Sequence, residues 1–222
     1  AQSGVRAAMT FAPEFRVIET LGWSTKTGAA RLDRHLARMS DTCAALGISF
    51  PQDQLIALMD EVNASHDLRL RLTVDRDGQG ALEHWPLAAT ADQWRVAIAA
   101  QRLNSSDIWL GHKTTNRALY DQARAALPEG IDELIFLNER GELCEGTITN
   151  LFVGQGETLV TPQQSSGLLP GVLRAELLDT GRAVEAVLTL KDLEHAEAIF
   201  CGNSLRGLIP VTLVPTTTTP AE

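Results

Sequence analysis

One lysine in the central part of the chain could do chemistry that its basic neighbours cannot. Lys113 lies in GHKTTNRALYD (111–121) and is one of only three lysines, whereas the chain has sixteen arginines. Arginine would supply charge equally well, but only a primary amine forms a Schiff base with an aldehyde. Lys113 is therefore a candidate catalytic residue. The alternative is an exposed lysine without a special role, which describes most lysines in proteins.

An acid follows a predicted strand in the second half of the chain. Glu145 stands in ELCEGTITN and is followed by small hydroxyl residues, which favour a close, hydrogen-bonded approach to a ligand. A carboxylate beside a pyridine nitrogen keeps that nitrogen protonated and makes the ring an electron sink. The alternative is an acid at a hairpin end that is satisfied by water.

Two further features could bind a phosphate. In GLLPGVLRAELL, residues Val172 and Leu173 open a predicted helix and so present backbone N–H groups without intrahelical acceptors. Arg38, one helical turn after His35, is a cation able to donate two hydrogen bonds to a phosphate. Routine helix capping and a solvated arginine at a helix rim are the alternatives. A lysine, an acid, a helix start and an arginine together meet the requirements of pyridoxal 5′-phosphate.

Signatures of other chemistries are missing from the sequence. There is no GxxxxGK[ST] and no GxSxG, and the GxGxxG-like start at Gly154 ends on Leu159. The three cysteines are widely spaced without a CxxC pair, which predicts neither a disulfide framework nor a zinc site. His195 with two neighbouring glutamates reads as a solvated helix face, so no metal site is predicted.

The composition limits which binding partners and which cellular location are plausible for the protein. The formal charge is −9, and no Lys/Arg-rich tract occurs, which argues against nucleic acid and anionic membranes as partners. No stretch approaches the roughly 20 apolar residues of a membrane span, and the first residues lack a signal-peptide core. The expectation is a cytoplasmic protein that acts on a small molecule.

Hydrophobic periodicity and turn residues predict alternating strands and helices. The predicted strands are 15–23, 68–76, 94–100, 133–138, 142–154, 157–162 and 198–203. The predicted helices are 31–46, 53–65, 118–127, 172–180 and 191–198. This order predicts an α/β (α+β) chain of two domains, with a small N-terminal domain over 1–104 and a larger C-terminal domain over 105–222. The TTTT run near the C-terminus is expected to be a loose tail.

The sequence resembles the class-IV aminotransferase family, the fold-type IV pyridoxal-phosphate enzymes that include D-amino-acid and branched-chain aminotransferases. The resemblance covers nearly the whole chain from FRVIETLGW onward. It is carried by five segments in the family's order: RLDRHLARM, HKTTNRALYD, DELIFLNERGELCEGTITNLFV, GLLPGVLRAELL and GNSLRGLIPV.

The resemblance implies a role for each matching position. Lys113 would form the Schiff base with pyridoxal 5′-phosphate and shuttle the proton, and Glu145 would pair with the pyridine nitrogen. Arg38 would hold the phosphate together with the backbone amides of Val172 and Leu173. The remaining positions implied to bind the cofactor are Ser204, through its hydroxyl, and Asn150, which shapes the pocket. The family also implies a homodimer.

Within the family, the Asn116-Arg117 pair and the NSLRG turn are most similar to the 4-amino-4-deoxychorismate lyase subgroup, which releases pyruvate and 4-aminobenzoate. Arg117 and Arg206 are candidates for binding a substrate carboxylate, and structural ion pairing is the alternative for both. A transaminase of amino acids or amines would use the same residues, and Ile18 stands where such enzymes often carry an aromatic. An inactive homologue that only binds a ligand is the third possibility.

Overall fold

The computed structural model describes residues 11–215, which form two compact units. The first unit comprises residues 11–87 and the short segment 112–116, and the second comprises 88–111 and 117–215. Within residues 11–215, no helix combines the length and apolar character needed to cross a bilayer. The TTTT run predicted as a tail lies at 216–219, outside the described residues.

The first unit is an antiparallel sheet with two helices, its strands in the order β2-β1-β3-β4. Its strands are β1 (Arg16–Ser24), β2 (Gly28–Ala29), β3 (Leu68–Asp75) and β4 (Gly80–Pro86), and its helices are α1 (Leu32–Leu46) and α2 (Gln52–Asp60). Strand β4 was not predicted, because its side chains are mostly exposed and do not alternate cleanly. Helix α1 ends as predicted at Gly47, which adopts a left-handed φ of 70°.

The buried face of α1 differs from the predicted one. The prediction placed Leu32, Leu36 and Leu46 on the core face with Met39 and Cys43. In the structure the fully buried residues are His35, Met39, Thr42 and Cys43, so the helix is rotated towards its polar residues. The polar side chains are buried because they have hydrogen-bonding partners on neighbouring segments.

The second unit is built on a mixed eight-stranded sheet in the order β10-β9-β8-β11-β12-β5-β6-β7. Its strands are β5 (Trp94–Leu103), β6 (Glu133–Asn138), β7 (Leu143–Gly146), β8 (Asn150–Gln155), β9 (Thr158–Pro162), β10 (Ala183–Ala186), β11 (Ala198–Asn203) and β12 (Gly207–Leu213). Its helices are α3 (Ala118–Ala125), α4 (Val172–Asp179) and α5 (Leu190–Glu194). Because β7 also pairs with β8, six of these strands close into a ring.

Two boundaries differ from the sequence prediction. The contacts divide the chain at residue 87, whereas the prediction placed the division at 104. One difference is β5, which pairs in parallel with β6 and β12 of the second unit. The other is segment 112–116: the prediction placed Lys113 in the C-terminal domain, but this segment belongs to the first unit because its backbone pairs with β1. The single strand predicted over 142–154 is two strands, β7 and β8, separated by residues 147–149.

Apolar side chains of alternate strand residues form the core of the second unit. One cluster contains Ile135, Leu137, Leu151, Val153, Ile209 and Val211, which have the two-residue period expected of one sheet face. Phe136 and Cys144 point to the opposite face and pack with α3, and Phe152 packs with α4. These two helices therefore anchor on the strands that carry the candidate site residues.

Candidate active site

A buried carboxylate in the first unit holds Arg38. The guanidinium of Arg38 donates from Nε to Oε1 of Glu19 at 2.7 Å and from Nη2 to Oε2 at 2.6 Å. His35 Nδ1 lies 2.6 Å from the same Oε2. Burial alone would raise the pKa of Glu19, but the charge of Arg38 and the hydrogen bonds from His35 and Arg38 hold that pKa below its ordinary value. Arg38 is thus pre-oriented by an ionised acid.

The backbone of Lys113 is attached to strand β1. The Ile18 N–H donates to the Lys113 carbonyl at 3.0 Å, and Thr115 N–H donates to the Arg16 carbonyl at 2.9 Å. Because β2 pairs only with the far end of β1, residues 113–115 extend the sheet along the part of that edge that β2 leaves open. Lys113 is therefore carried on a sheet edge, although it lies far from β1 in sequence.

The charge of Lys113 acts on the buried His35. Burial lowers the pKa of His35, and the positive charges of Arg38 and Lys113 lower it further, against the opposing effect of Glu19. His35 is accordingly neutral near pH 7, and its Nδ1–H donates to Glu19. The adjacent His112 is also partly buried, which lowers its pKa, and its Nδ1 lies 3.1 Å from Thr42 Oγ1. The charges of Arg38 and Lys113 thus act on the same histidine.

Glu145 is a buried acid in the second unit. The Leu169 N–H lies 2.9 Å from its Oε2 and 3.2 Å from its Oε1, and Tyr120 Oη donates to Oε1 at 3.1 Å. Burial raises the pKa of Glu145 to about 8, against the hydrogen bonds from Leu169 and Tyr120 and the charge of Arg117. A buried carboxylate with this pKa favours a cationic or N–H-bearing partner.

The short turn after Glu145 is built around a second buried acid. Glu133 accepts hydrogen bonds from the Thr147 N–H at 2.8 Å, the Ile148 N–H at 3.2 Å and the Thr149 hydroxyl at 3.0 Å. A side chain at Gly146 would come within 2.6 Å of the Glu133 carboxyl. Residues 147–149 turn inward towards Glu133, and for this reason the predicted continuous strand is interrupted.

The backbone of one residue, Leu169, connects Glu145 to the start of helix α4. The Leu169 N–H is held by Glu145, and the Leu169 carbonyl accepts from Asn150 Nδ2 at 2.9 Å. Glu145 and Asn150 are directly paired residues of β7 and β8. Together they fix the loop that ends at Gly171, the N-cap of α4. The N–H groups of Val172 and Leu173 then open the helix at the predicted position, and anion binding at this terminus stays a prediction.

Gly171 cannot carry a side chain beside Asn150. A Cβ at this position would lie 2.1 Å from Asn150 Oδ1, far inside contact distance. We expect Gly171→Ala to lower the free energy of unfolding by about 1–3 kcal/mol through overpacking. The double variant Gly171→Ala/Asn150→Ala should cost less than the sum of the single changes, because the second change removes the clash. Denaturant unfolding of the four proteins measures both values.

Gly111→Ala is the matched control, since a Cβ there meets nothing within 4 Å and the residue has no left-handed φ. Strictly additive effects of Gly171→Ala and Asn150→Ala would contradict the predicted contact.

The raised pKa of Glu145 predicts how the stability of the protein changes with pH. An acid whose folded pKa is raised to about 8 from 4.5 contributes stability below pH 4.5 that is lost as the pH rises to about 8. Glu145→Gln removes the ionisation, so the variant should gain stability relative to the parent across this window, by on the order of a few kcal/mol. Thermal unfolding of the cofactor-stripped proteins at pH 5 and pH 9 measures the difference. An equal difference at both pH values would refute the raised pKa.

The remaining predicted site residues lie around the turn between β11 and β12. Ser204 is largely buried in this turn. Asn203 Nδ2 donates to the Ile148 carbonyl at 3.0 Å, and the Arg206 N–H donates to Asn203 Oδ1 at 2.9 Å. Gly202, just before the turn, pairs with Asn150. The turn that carries Ser204 and Arg206 is therefore tied to the turn that follows Glu145.

Arg117 has protein partners in the second unit. Its Nη2 donates to the Thr147 carbonyl at 2.7 Å, and its Nε donates to Asp121 at 2.9 Å. Its guanidinium carbon lies 5.4 Å from the centre of the Tyr120 ring. These contacts give Arg117 a structural function at the 147–149 turn, and its charge also favours the ionised form of Glu145.

The structure divides the predicted site residues between the two units. Arg38 and Lys113 belong to the first unit, and the rest belong to the second: Arg117, Glu145, Asn150, Val172, Leu173, Ser204 and Arg206. Sequence reasoning missed four side chains that contact or surround them, namely Glu19, His35, Tyr120 and Glu133. The position of Glu19 could have revealed it, because this acid lies on the same buried face of β1 as Val17 and Leu21, two residues from each. Among residues 11–215, no cluster of three or more His, Cys, Asp or Glu side chains is arranged to hold a metal ion.

The sequence model of the family described as "Amino-transferase class IV" matches residues 16–214. A Schizosaccharomyces pombe protein provisionally named an aminodeoxychorismate lyase is 27% identical over 194 residues, covering 82% of this chain and 84% of that protein.

Two solved structures are similar over most of the chain. A Mesorhizobium loti protein provisionally named an amino-acid aminotransferase is 43% identical, has a TM-score of 0.86 and covers 90% of this chain and 100% of its own. The 4-amino-4-deoxychorismate lyase of Pseudomonas aeruginosa is 25% identical, has a TM-score of 0.75 and covers 89% of this chain and 82% of its own.

Proposed function

This chain belongs to the class IV amino-transferase family of pyridoxal-phosphate-dependent enzymes, and we propose that it acts as a 4-amino-4-deoxychorismate lyase that releases pyruvate and 4-aminobenzoate. The similarity to the S. pombe protein and to the P. aeruginosa lyase supports this choice within the family. The observation that carries the proposal is the buried, backbone-held Glu145 carboxylate, which suits a protonated pyridine nitrogen.

The predicted site residues fit pyridoxal 5′-phosphate by the chemistry of their donors. Lys113 would bind it covalently through Nζ, and Glu145 would accept a hydrogen bond from its ring nitrogen. Its phosphate would be held by Arg38, which Glu19 orients, by the Val172 and Leu173 N–H groups and by the Ser204 hydroxyl. Asn150 supports the phosphate end indirectly, because it fixes the loop before Gly171. When bound, the cofactor supplies an electron sink for a carbanion.

The chain's own residues would then move one proton. Lys113 Nζ, freed when the substrate amine takes its place on the cofactor, would remove the proton from the substrate ring carbon that carries the amino group. The electron pair left on that carbon forms a ring double bond, and the bond from the neighbouring carbon to the enolpyruvyl oxygen breaks. Enolpyruvate takes up a proton and becomes pyruvate, while the ring becomes aromatic 4-aminobenzoate. Arg206 is proposed to bind a substrate carboxylate, whereas Arg117 has its main partners within the protein.

The test is pyruvate release without an amino acceptor. The purified protein, loaded with pyridoxal 5′-phosphate, is incubated with 4-amino-4-deoxychorismate, and pyruvate and 4-aminobenzoate are quantified. Equal amounts of both products in the absence of any keto acid are expected. A strict requirement for a keto acid would replace the lyase with a transaminase.

Transamination of amino acids or amines is the second candidate function. The 43% identity to the M. loti protein, provisionally named an amino-acid aminotransferase, favours it. In that reaction Lys113 would return the proton to the cofactor rather than leave it with an eliminated fragment. An inactive homologue that only binds a ligand is the third possibility, and it predicts colourless protein that borohydride cannot link covalently to pyridoxal 5′-phosphate.

We further propose that the protein is a cytoplasmic homodimer that serves folate biosynthesis. The lyase reaction would supply 4-aminobenzoate for that purpose. Sedimentation at several protein concentrations measures the oligomeric state, and a monomer throughout would remove the dimer from the proposal.

A further inference from the structure

Tyr120 is the only tyrosine in the chain, and it contacts the acid of the proposed site. It lies in helix α3, is 9% exposed, and its hydroxyl donates to Glu145 Oε1 at 3.1 Å. Its hydroxyl donates to Glu145 from a side chain, whereas Leu169 donates from the backbone, and both hydrogen bonds lower the pKa of Glu145. No role in the sequence prediction was given to this residue.

Packing holds the Tyr120 ring in place from two sides. Phe136 of β6 meets the ring edge-on, with centroids 5.4 Å apart and an interplanar angle of 77°. The guanidinium carbon of Arg117 lies 5.4 Å from the ring centroid. Such contacts restrict a tyrosine ring, which has only two side-chain torsions. The hydroxyl therefore meets Glu145 with little freedom to turn away.

The charged and titratable groups around Glu145 divide into two sets. Burial and the negative charge of Glu133 on β6 favour the protonated form of Glu145. The Leu169 N–H, the Tyr120 hydroxyl and the charge of Arg117 favour the ionised form. Cys144, its neighbour on β7, is also buried, which raises the pKa of its thiol to about 12 and leaves it uncharged. Tyr120 is thus one of the contacts that favour the ionised form of Glu145 against the effect of burial.

We propose that Tyr120 is a positioning residue, whose hydroxyl orients the Glu145 carboxylate and favours the ionised form that would pair with the cofactor's pyridine nitrogen. This rests on the proposed function, because it assumes that Glu145 faces that nitrogen. Tyr120 does not touch the reacting atoms. It acts by setting the direction and the charge of the acid that does.

The first test measures the ionisation of Tyr120, which depends on its contact with Glu145, in protein without the cofactor. Burial, followed by the charge of Glu145 and the hydrogen bond to it, raises the pKa of Tyr120 far above its ordinary value of 10. Because no other tyrosine is present, phenolate absorbance in an alkaline titration reports this residue alone. We expect phenolate only when circular dichroism shows unfolding. In Glu145→Gln, ionisation should begin at a lower pH. Phenolate near pH 10 in the folded parent would overturn the proposal.

The second test compares Tyr120→Phe with the parent as holoenzymes. The substitution keeps the ring and removes the hydroxyl, so the pKa of Glu145 should rise. We expect the acid limb of the kcat–pH profile and the pH dependence of the cofactor's visible absorption to shift upward by about one pH unit. The dissociation constant of pyridoxal 5′-phosphate, measured by reconstitution, should rise about tenfold at pH 7.

Thr161→Val is the matched control, because it removes another buried hydroxyl of the same unit, one that donates to the Leu151 carbonyl at 2.7 Å. It should lower stability but leave the pH profile and the absorption unchanged. An unshifted profile in Tyr120→Phe, or an equal shift in Thr161→Val, would overturn the proposal. If Tyr120→Phe does not fold, the phenolate titration of the parent and of Glu145→Gln decides it. Failure of the parent to bind pyridoxal 5′-phosphate would instead refute the proposed function, because the titration does not depend on the cofactor.

Discussion

Replacing Lys113 with alanine is expected to abolish covalent cofactor binding and to lower kcat/KM by at least about a thousandfold. The amine at this position has two functions in the proposed mechanism, attachment and proton transfer, and the alanine variant can perform neither. Borohydride reduction followed by mass measurement detects the covalent adduct, and pyruvate release measures the activity. The covalent adduct and the pyruvate release should both be lost in this variant.

The chain offers two matched controls, because its other lysines, Lys26 and Lys191, are exposed. Alanine at either position should leave the adduct and the activity as they are. Lys113→Arg is the sharper comparison, since it keeps the charge beside His35 but cannot form the adduct. An active Lys113→Arg protein would show that position 113 contributes charge and not amine chemistry.

Replacing Glu145 with glutamine is expected to leave the cofactor attached at Lys113 but to slow turnover by about 100- to 1,000-fold. A neutral amide cannot hold the pyridine nitrogen in its protonated form, so the electron sink is weakened in the step where the substrate loses its proton. The Leu169 N–H retains an acceptor, because the amide oxygen can replace one carboxylate oxygen. The measurements are single-turnover rates and the visible spectrum of the bound cofactor.

Glu139→Gln is the control for this change, because it neutralises an exposed acid on the turn that precedes β7. It should not alter the single-turnover rate. A Glu145→Gln enzyme with the parent's rate would remove the acid from its proposed role, even if the stability difference between pH 5 and pH 9 were found.

The sequence prediction of the fold succeeded where local patterns are strong. Helix α1 and strands β6 and β11 begin or end within a residue of their predicted bounds, since periodicity and glycine stops are properties of the local sequence. The predicted fold-type IV architecture is confirmed by similarity to solved structures of the family. The interrupted strand at 147–149 was missed, because its cause is the Glu133 side chain, which lies fourteen residues away from Thr147 in sequence.

The predicted site residues stay predictions, and the structure adds what supports them. Lys113, Glu145 and the start of α4 were recognisable because their chemistry belongs to single residues or to a local helix signal. Their supporting contacts were not recognisable. Tyr120 meets Glu145 across 25 residues of sequence, and Arg38 meets Glu19 across 19. The helix and strand periodicities of a sequence do not predict contacts between residues so far apart in the chain.

The sequence by itself therefore determined which chemical groups are present, which segments form helices and strands, and the family to which the chain belongs. Only the tertiary structure decided which of those groups are buried, and with what partners. Burial raises the pKa of both Glu145 and Glu19, but the contacts with Arg38 and His35 outweigh burial at Glu19, whereas the contacts with Leu169, Tyr120 and Arg117 do not outweigh it at Glu145. The same residue type thus becomes an acid with a raised pKa in one unit and an ionised anchor for an arginine in the other.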